Sequence, residues 1–469
     1  MFSEGQVVQK YRHFFVSAFF LLLTTWGAFH ISSCQKKDKH LYAIPKEKGV
    51  DLKDVISGKT VQKIAQGQKL IVLARSKQKQ SRGKIKAFWF KVKTPKNKMG
   101  WIYGGDVTIR FPANATYKVV AGSVVDIHFL NKSLVYAAQF DNVKEVQKLL
   151  DRGAEINGYN KQGDTALLEA AGHRNEKVVA FLLKRGADAN LRSRSVGRTP
   201  LMRQMLRPSL SIAKKLIKHG AKIELTDKFG NTALLEAAYY ADLEYLTFLL
   251  QKGADVKAVN KDGQNALLRA SGSVKGRDVI GAVQLLVQKG LSVSSRDNYL
   301  NTPLIRASYL WNEKAVAFFL QKGADVHHKN KGGETPLQAA ASGHWFGQRD
   351  IRKLKTTISL LFQKGAKVKV RSNTGNSPLT WATHNNHFFL VKQLVEKGAH
   401  LDHQTGPRDI GCAGCSSLMI AAVRGRLEIL RYLLSKGANR TLKDAKGQDI
   451  LALAKKKKHA AIIKELLKK

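Results

Sequence analysis

The chain has 469 residues, more than one hydrophobic core usually serves, which leaves several domains or an open-ended repeat stack. With 43% hydrophobic and 25% charged residues it has the composition of folded protein rather than of a disordered polyelectrolyte. Its 80 Lys and Arg against 35 Asp and Glu leave a net charge of +45, a field that attracts nucleic acid, anionic lipid or wall polymer without choosing among them, and that a general preference for lysine would also produce.

The first 13 residues carry Lys10, Arg12 and His13, and Phe14–Phe29 then run apolar as FFVSAFFLLLTTWGAF. A positive stretch, an apolar stretch and small residues in that order describe a secretory signal. As a helix this run reaches only about 24 Å against a hydrocarbon core of about 30 Å, so a permanent membrane span is the weaker reading. The ISSC that follows, Ile31–Cys34, resembles the lipobox of bacterial lipoproteins. That resemblance implies a signal peptide over 1–33, lipidation of Cys34 and a lipidated tether over 34–40; simple cleavage and an uncleaved anchor are the alternatives. The tether lysines Lys36, Lys37 and Lys39 suit an anionic lipid surface or a solvated linker equally.

Residues 35–129 hold 21 basic and 6 acidic side chains, about twice the excess per residue of 130–469, which hold 57 and 28. From 41 to 110 the pattern has period two, in LYAI, TVQKI, KLIVLA, AFWFKV and GWIYGGDVTI, and reads as a small all-β barrel or sandwich. GQKLIVL, WFKV and GWI resemble the strands of the bacterial SH3-like domain, which implies peptidoglycan as a ligand. Trp89, Trp101 and Tyr103 are the candidate ligand face; the alternative is that the two tryptophans fill the core of a small barrel, the favoured reading for Trp101, with Tyr103 as the exposed ring. Residues 111–129 form a connection too apolar to be a free linker.

Over 130–469 one phrase returns: a leucine-rich helix end, a basic residue, then Gly-Ala, with glycines at 153, 186, 220, 253, 290, 323, 365, 398 and 437, most of them 33 or 34 residues apart. A period of that size means a solenoid. A second phrase, G-x-[TS]-[PA]-L, starts at Gly163, Gly197, Gly230, Gly333 and Gly375, with LNTPL at Leu300. Thr or Ser stands where an N-cap oxygen is needed, proline follows at the first helical position, and glycine closes the second helix. These motifs resemble the ankyrin repeat, in ten units beginning near 130, 163, 197, 230, 263, 300, 333, 375, 414 and 447, the last a cap. The predicted architecture is therefore mainly α, an ankyrin-repeat solenoid preceded by a small SH3-like barrel. The family's histidine after the leucine is replaced by Leu168, Met202, Leu235, Leu268, Ile305 and Met419. The fifth, seventh and eighth units carry insertions.

The ankyrin resemblance implies that partners bind the finger tips and the concave face of the first helices. On this chain those positions are Phe140, His173, Tyr239, Tyr240, Tyr309 and His384, with Trp311 and Trp345 close by. The rings form a protein-binding groove or pack between repeats. The cation before each Gly-Ala is favoured locally by the helix C-terminus, and the nine in register form a basic stripe that a polyanion could track. Cys412 and Cys415 make a C-x-x-C, read first as a local disulfide. No catalytic motif, metal set or cofactor fingerprint is present, which predicts a non-enzyme. The composite expectation is a bacterial cell-envelope lipoprotein, lipid-anchored on the periplasmic side or outer surface or else secreted, that binds a partner protein. The alternative is a binder of peptidoglycan, lipopolysaccharide or anionic lipid through the basic SH3-like domain and stripe; nucleic acid is not an expected partner.

Overall fold

In the computed structural model the described residues are 127–468, apart from 274–278, 344–349 and 407–411, together with the backbone of eleven strands between 41 and 126. The lipidation and tether expectations at Cys34, and Trp345, lie outside them. Contacts divide the chain into two units, one reaching to Ala115 and one holding the helices.

The first unit contains β1 (Leu41–Pro45), β2 (Val50–Lys53), β3 (Thr60–Ile64), β4 (Leu70–Arg75), β5 (Gln80–Arg82), β6 (Ile85–Ala87), β7 (Trp89–Lys93), β8 (Met99–Tyr103) and β9 (Val107–Arg110). Seven of them pair antiparallel in the order β3-β2-β8-β7-β4-β1-β9, and β5 and β6 form a separate ribbon. This overturns the small SH3-like barrel: the described pairing leaves β3 and β9 as two edges rather than joining them into a closed barrel. The period-two segments do become strands, because alternation specifies a strand, but alternation does not specify which strands become neighbours. Trp89 faces Tyr103 and Lys91 faces Trp101 across β7 and β8.

Next in the chain β10 (Tyr117–Val120) and β11 (Ser123–Asp126) pair with each other, and β11 runs straight into the first helix, Ile127–Ala137, which starts three residues before the expected boundary. Ten helix pairs follow. From the second pair on the first helix is short, as in Ala166–Gly172 and Ala233–Tyr239, which are capped at both ends. The hydroxyls of Thr165, Thr199, Thr232 and Thr302 each accept the backbone N–H three residues on, at 3.3 Å. Pro200, Pro303, Pro336 and Pro378 occupy the first turn, where a missing N–H costs nothing. The second helix runs nine residues in most repeats and ends at a glycine such as Gly186, whose φ of 84° is a left-handed conformation that a β-carbon would strain.

First helices pack on first helices and second helices on second helices of the adjacent repeats, giving two layers with Leu and Ala-Ala between them. The small Ala170, Ala171, Ala237 and Ala238 are fully buried, which lets neighbouring helices approach closely. The projecting fingers are stitched by backbone bonds: the N–H groups of Arg194, Lys228, Lys261, Asn298, Lys331, Asn373, Gly406 and Ala445 donate to carbonyls of the preceding finger at 2.7–3.0 Å. Asn160, Asp227, Asn260, Asn330 and Asp444 hold each finger's turn through their side-chain oxygens. The seventh repeat's insertion is partly helical, since its second helix extends over 13 residues, Ile351–Gln363, from an Asp350 cap.

The turn inside five of the pairs holds a left-handed residue that is not glycine: Arg174, Ala241, Trp311, Asn386 and Lys458. Trp311 is the bulkiest. It is 3% exposed, its indole N–H donates to Ala340 O at 2.8 Å, and its ring meets His387 edge-on at 5.3 Å. One side chain thus ties the sixth, seventh and eighth repeats. Trp311→Ala is expected to remove about 3–5 kcal/mol from the stability of this region, read as a lowered urea midpoint; a loss under about 1 kcal/mol would show that the three repeats do not depend on it.

Candidate partner-binding face

The residue six positions after each finger glycine, or after Leu300 in its place, lies on the layer of first helices, and down the stack this column reads Glu169, Arg203, Glu236, Arg269, Arg306, Ala339, Trp381 and Ile420. The charges alternate as far as Arg269, and Glu169 with Arg203 and Glu236 with Arg269 pair between repeats. Glu236, 2% exposed, receives Arg198 from the preceding repeat and Arg269 from the next, each at 2.9 Å. Arg203 reaches Asp164 at 3.4 Å and also meets Glu169, and Arg306 meets Asp297 at 3.0 Å. Burial pushes the Arg269 guanidinium below its ordinary range, opposed by Glu236, and raises Asp164, opposed by Arg203. Sequence reasoning missed this column, although reading one position past the leucines in every unit would have exposed it.

Two units keep a polar residue at the family's histidine position, and one of them keeps the bridge to the next repeat. Gln338 and Thr380 stand at the histidine position, complete capping boxes with Thr335 and Ser377, and Gln338 Nε2 donates to Asn376 O of the next repeat at 2.7 Å.

Around this column the structure places most of the expected aromatic residues. Tyr239 and Tyr240 are half-buried, meet edge to face at 5.3 Å, and Arg269 lies over the Tyr239 ring at 4.7 Å. Burial raises the Tyr240 hydroxyl above its usual range. Tyr309 is 38% exposed. His173 is exposed, its Nδ1 3.0 Å from Glu169 O. His384 is half-buried, with Trp381 edge-on at 5.8 Å and the Arg424 guanidinium on its other nitrogen. Trp381 and Arg424 were not anticipated. Two expectations change: Trp311 is a packing residue, because the left-handed turn aims it inward, and Phe140 stands apart, 53% exposed beside Tyr136 and Phe129 in a hollow of about 590 Å³ on the first repeat.

The cations before each finger, Arg152, Arg185, His219, Lys252, Lys289, Lys322, Lys364, Lys397 and Lys436, are all exposed. Cys412 and Cys415 are joined as a disulfide, and the Thr405 hydroxyl accepts Cys415 N–H at 3.1 Å and donates to Cys412 O at 2.6 Å, closing the eighth repeat's finger. Among the described residues no group of three His, Cys, Asp or Glu could hold a metal ion, and no helix is long and apolar enough to cross a membrane.

Removing the carboxylate at Glu236 strands two partly buried arginines. Glu236→Ala is expected to cost about 3–5 kcal/mol in chemical unfolding, and Glu236→Leu with Arg269→Leu to recover much of it. Equal stability of Glu236→Ala and the unaltered chain would rule out the clamp.

A family model described as ankyrin repeats matches residues 134–227, 201–297, 310–405 and 348–444, well over half of the chain. An ankyrin repeat and KH domain-containing protein of Caenorhabditis briggsae is 30% identical over 171 residues, which are 36% of this chain and 6% of that protein. Protein lin-12 of Caenorhabditis elegans is 31% identical over 33% of this chain and 11% of its own length. The B-cell lymphoma 3 protein homolog of Mus musculus is 30% identical over 39% of this chain and 38% of its own. The chain therefore spans much less than two thirds of these relatives. The similarities lie with repeat stretches of nematode and mammalian proteins, and the family match carries repeats alone. The expectations of a bacterial envelope lipoprotein, of an SH3-like domain, of a lipid anchor and of peptidoglycan, lipopolysaccharide or anionic lipid as ligand are accordingly withdrawn. With repeated capped helix pairs, stitched fingers and the family match in agreement, the chain belongs to the ankyrin-repeat family.

Proposed function

We propose that this non-catalytic ankyrin-repeat protein holds a protein partner on the layer of first helices, between the second and ninth repeats. The observation that carries the reading is the column of paired charges flanked by accessible rings. Glu169 is paired with Arg203, Glu236 with Arg269 and Arg306 with Asp297, so these side chains are held before a partner arrives, and Tyr239, Tyr240, Tyr309, Trp381 and His384 stand along the same layer. Rigid aromatic anchors lose little conformational entropy on binding and dominate protein interfaces. Relatives whose names mention ankyrin repeats beside other modules match this chain over 6% and 5% of their own length, which supports a binding role carried by repeats.

A random-peptide library selected on the full chain supplies the probe. The selected peptides are expected to bind Tyr239→Ala/Tyr240→Ala at least about tenfold more weakly, with helicity by circular dichroism unchanged, since hot-spot tyrosines contribute about 2 kcal/mol or more. Peptides that bind the double variant and Trp381→Ala as tightly as the unaltered chain would place the interface elsewhere.

A further inference from the structure

The opposite layer carries a second, differently built surface. On the second helices of the seventh to ninth repeats, Ile351–Gln363, Phe388–Glu396 and Leu427–Ser435, half-buried rings alternate with exposed lysines. Lys355 lies over Phe389 at 4.9 Å, Lys397 over Phe362 at 4.9 Å, Lys392 over Phe388 at 4.3 Å and over Tyr432 at 5.9 Å, and Lys436 over Tyr432 at 5.7 Å. Phe388 and Tyr432 meet edge to face at 5.7 Å across two repeats. Most of these contacts cross from one repeat to the next, so the cations are held in a fixed array by the rings beneath them.

An ammonium group over a ring keeps its outward side for an anion, and a ring fixes the lysine stem that would otherwise lose conformational freedom on binding. Four such lysines stand here against Glu396 and Glu428 as the carboxylates of the last two helices. Single-stranded nucleic acid needs open ring faces for base stacking, and here the faces are covered by ammonium groups and the Phe388–Tyr432 pair is edge-on. Carboxylates need only the ammonium groups. Lys397 and Lys436 occupy equivalent positions of adjacent repeats, about 10 Å apart at helix-packing distance, a step that an acidic helix matches every seven residues.

We propose that the second-helix surface of the seventh to ninth repeats is a docking site for an acidic helical segment of a protein partner, separate from the first-helix face and independent of it.

The test uses the full chain and a fluorescein-labelled alanine-based peptide with glutamates along one helical face. Its glutamine twin, a DNA duplex, a single-stranded DNA and phosphatidylserine vesicles serve as competitors. The glutamate peptide is expected to bind, the glutamine twin not to, and Lys392→Glu/Lys397→Glu to weaken binding by about tenfold or more. The same charge change at the helix ends of the fourth and fifth repeats, Lys252→Glu/Lys289→Glu, is expected to change affinity less than twofold. Should the reversed pair lose helicity, Lys392→Gln/Lys397→Gln is expected to give about a threefold loss in a folded protein. Equal losses in both pairs of variants would reduce the effect to net charge and overturn the site. So would absent peptide binding, or displacement of the peptide by nucleic acid or vesicles at lower concentration than by its own unlabelled form.

Discussion

Two short helices cannot bury the apolar sides of both against each other, so every repeat depends on the next for its core. The backbone ladder between fingers, running from Gly163 O to Ala445 N, fixes the spacing at which that burial happens. Once the fingers are stitched, each first helix must lie close to its neighbours, and only small residues such as Ala170 and Ala237 are compatible with that approach. The caps, the left-handed turns and the buried alanines are consequences of the same spacing.

That spacing also explains the chemistry of the first-helix layer. Side chains projecting from equivalent positions of adjacent repeats are brought within reach of one another, so like charges at Glu169, Arg203, Glu236 and Arg269 would repel, and alternation turns the same proximity into ion pairs. Burial makes these pairs sensitive to loss of one member, because the remaining charge keeps its desolvation cost. The paired surface is therefore stiff, and the tyrosines at the ends of the first helices are held at defined positions beside it. Beyond Arg269 the alternation ends; Gln338 then bridges to Asn376 of the next repeat, and Trp381 enters the column.

The second-helix layer solves a different problem. Its outer side faces away from the stack, and rings such as Phe362, Phe388 and Tyr432 are covered there by lysine stems rather than by another helix. The cation before each finger glycine has a local reason at a helix C-terminus, and the tertiary arrangement then gathers it with lysines from neighbouring helices.

Much of the repeat unit was legible in the sequence, because what specifies it is local: Thr165 caps the helix it precedes, Pro303 sits where no N–H is required, and Gly186 takes a φ that other residues resist. Periodicity then implied the stack. The candidate face was legible only in part. Tyr239, Tyr240 and Tyr309 could be placed from their offset after Ala-Ala, but the Glu236 clamp and the Trp381 position depend on which residues face each other across repeats. Trp311 could not be sorted from the tyrosines, since its inward direction follows from a left-handed backbone that a sequence does not display for a non-glycine residue. In the first unit the alternation of LIVL and WFKV determined strands, whereas the order β3-β2-β8-β7-β4-β1-β9 was decided by pairing between distant segments. The sequence by itself determined the elements and their repetition, because caps, turns and periods act within a few residues. Only the tertiary structure decided which charges pair, which rings are buried and which strands meet, because those outcomes depend on neighbours supplied by other elements of the chain.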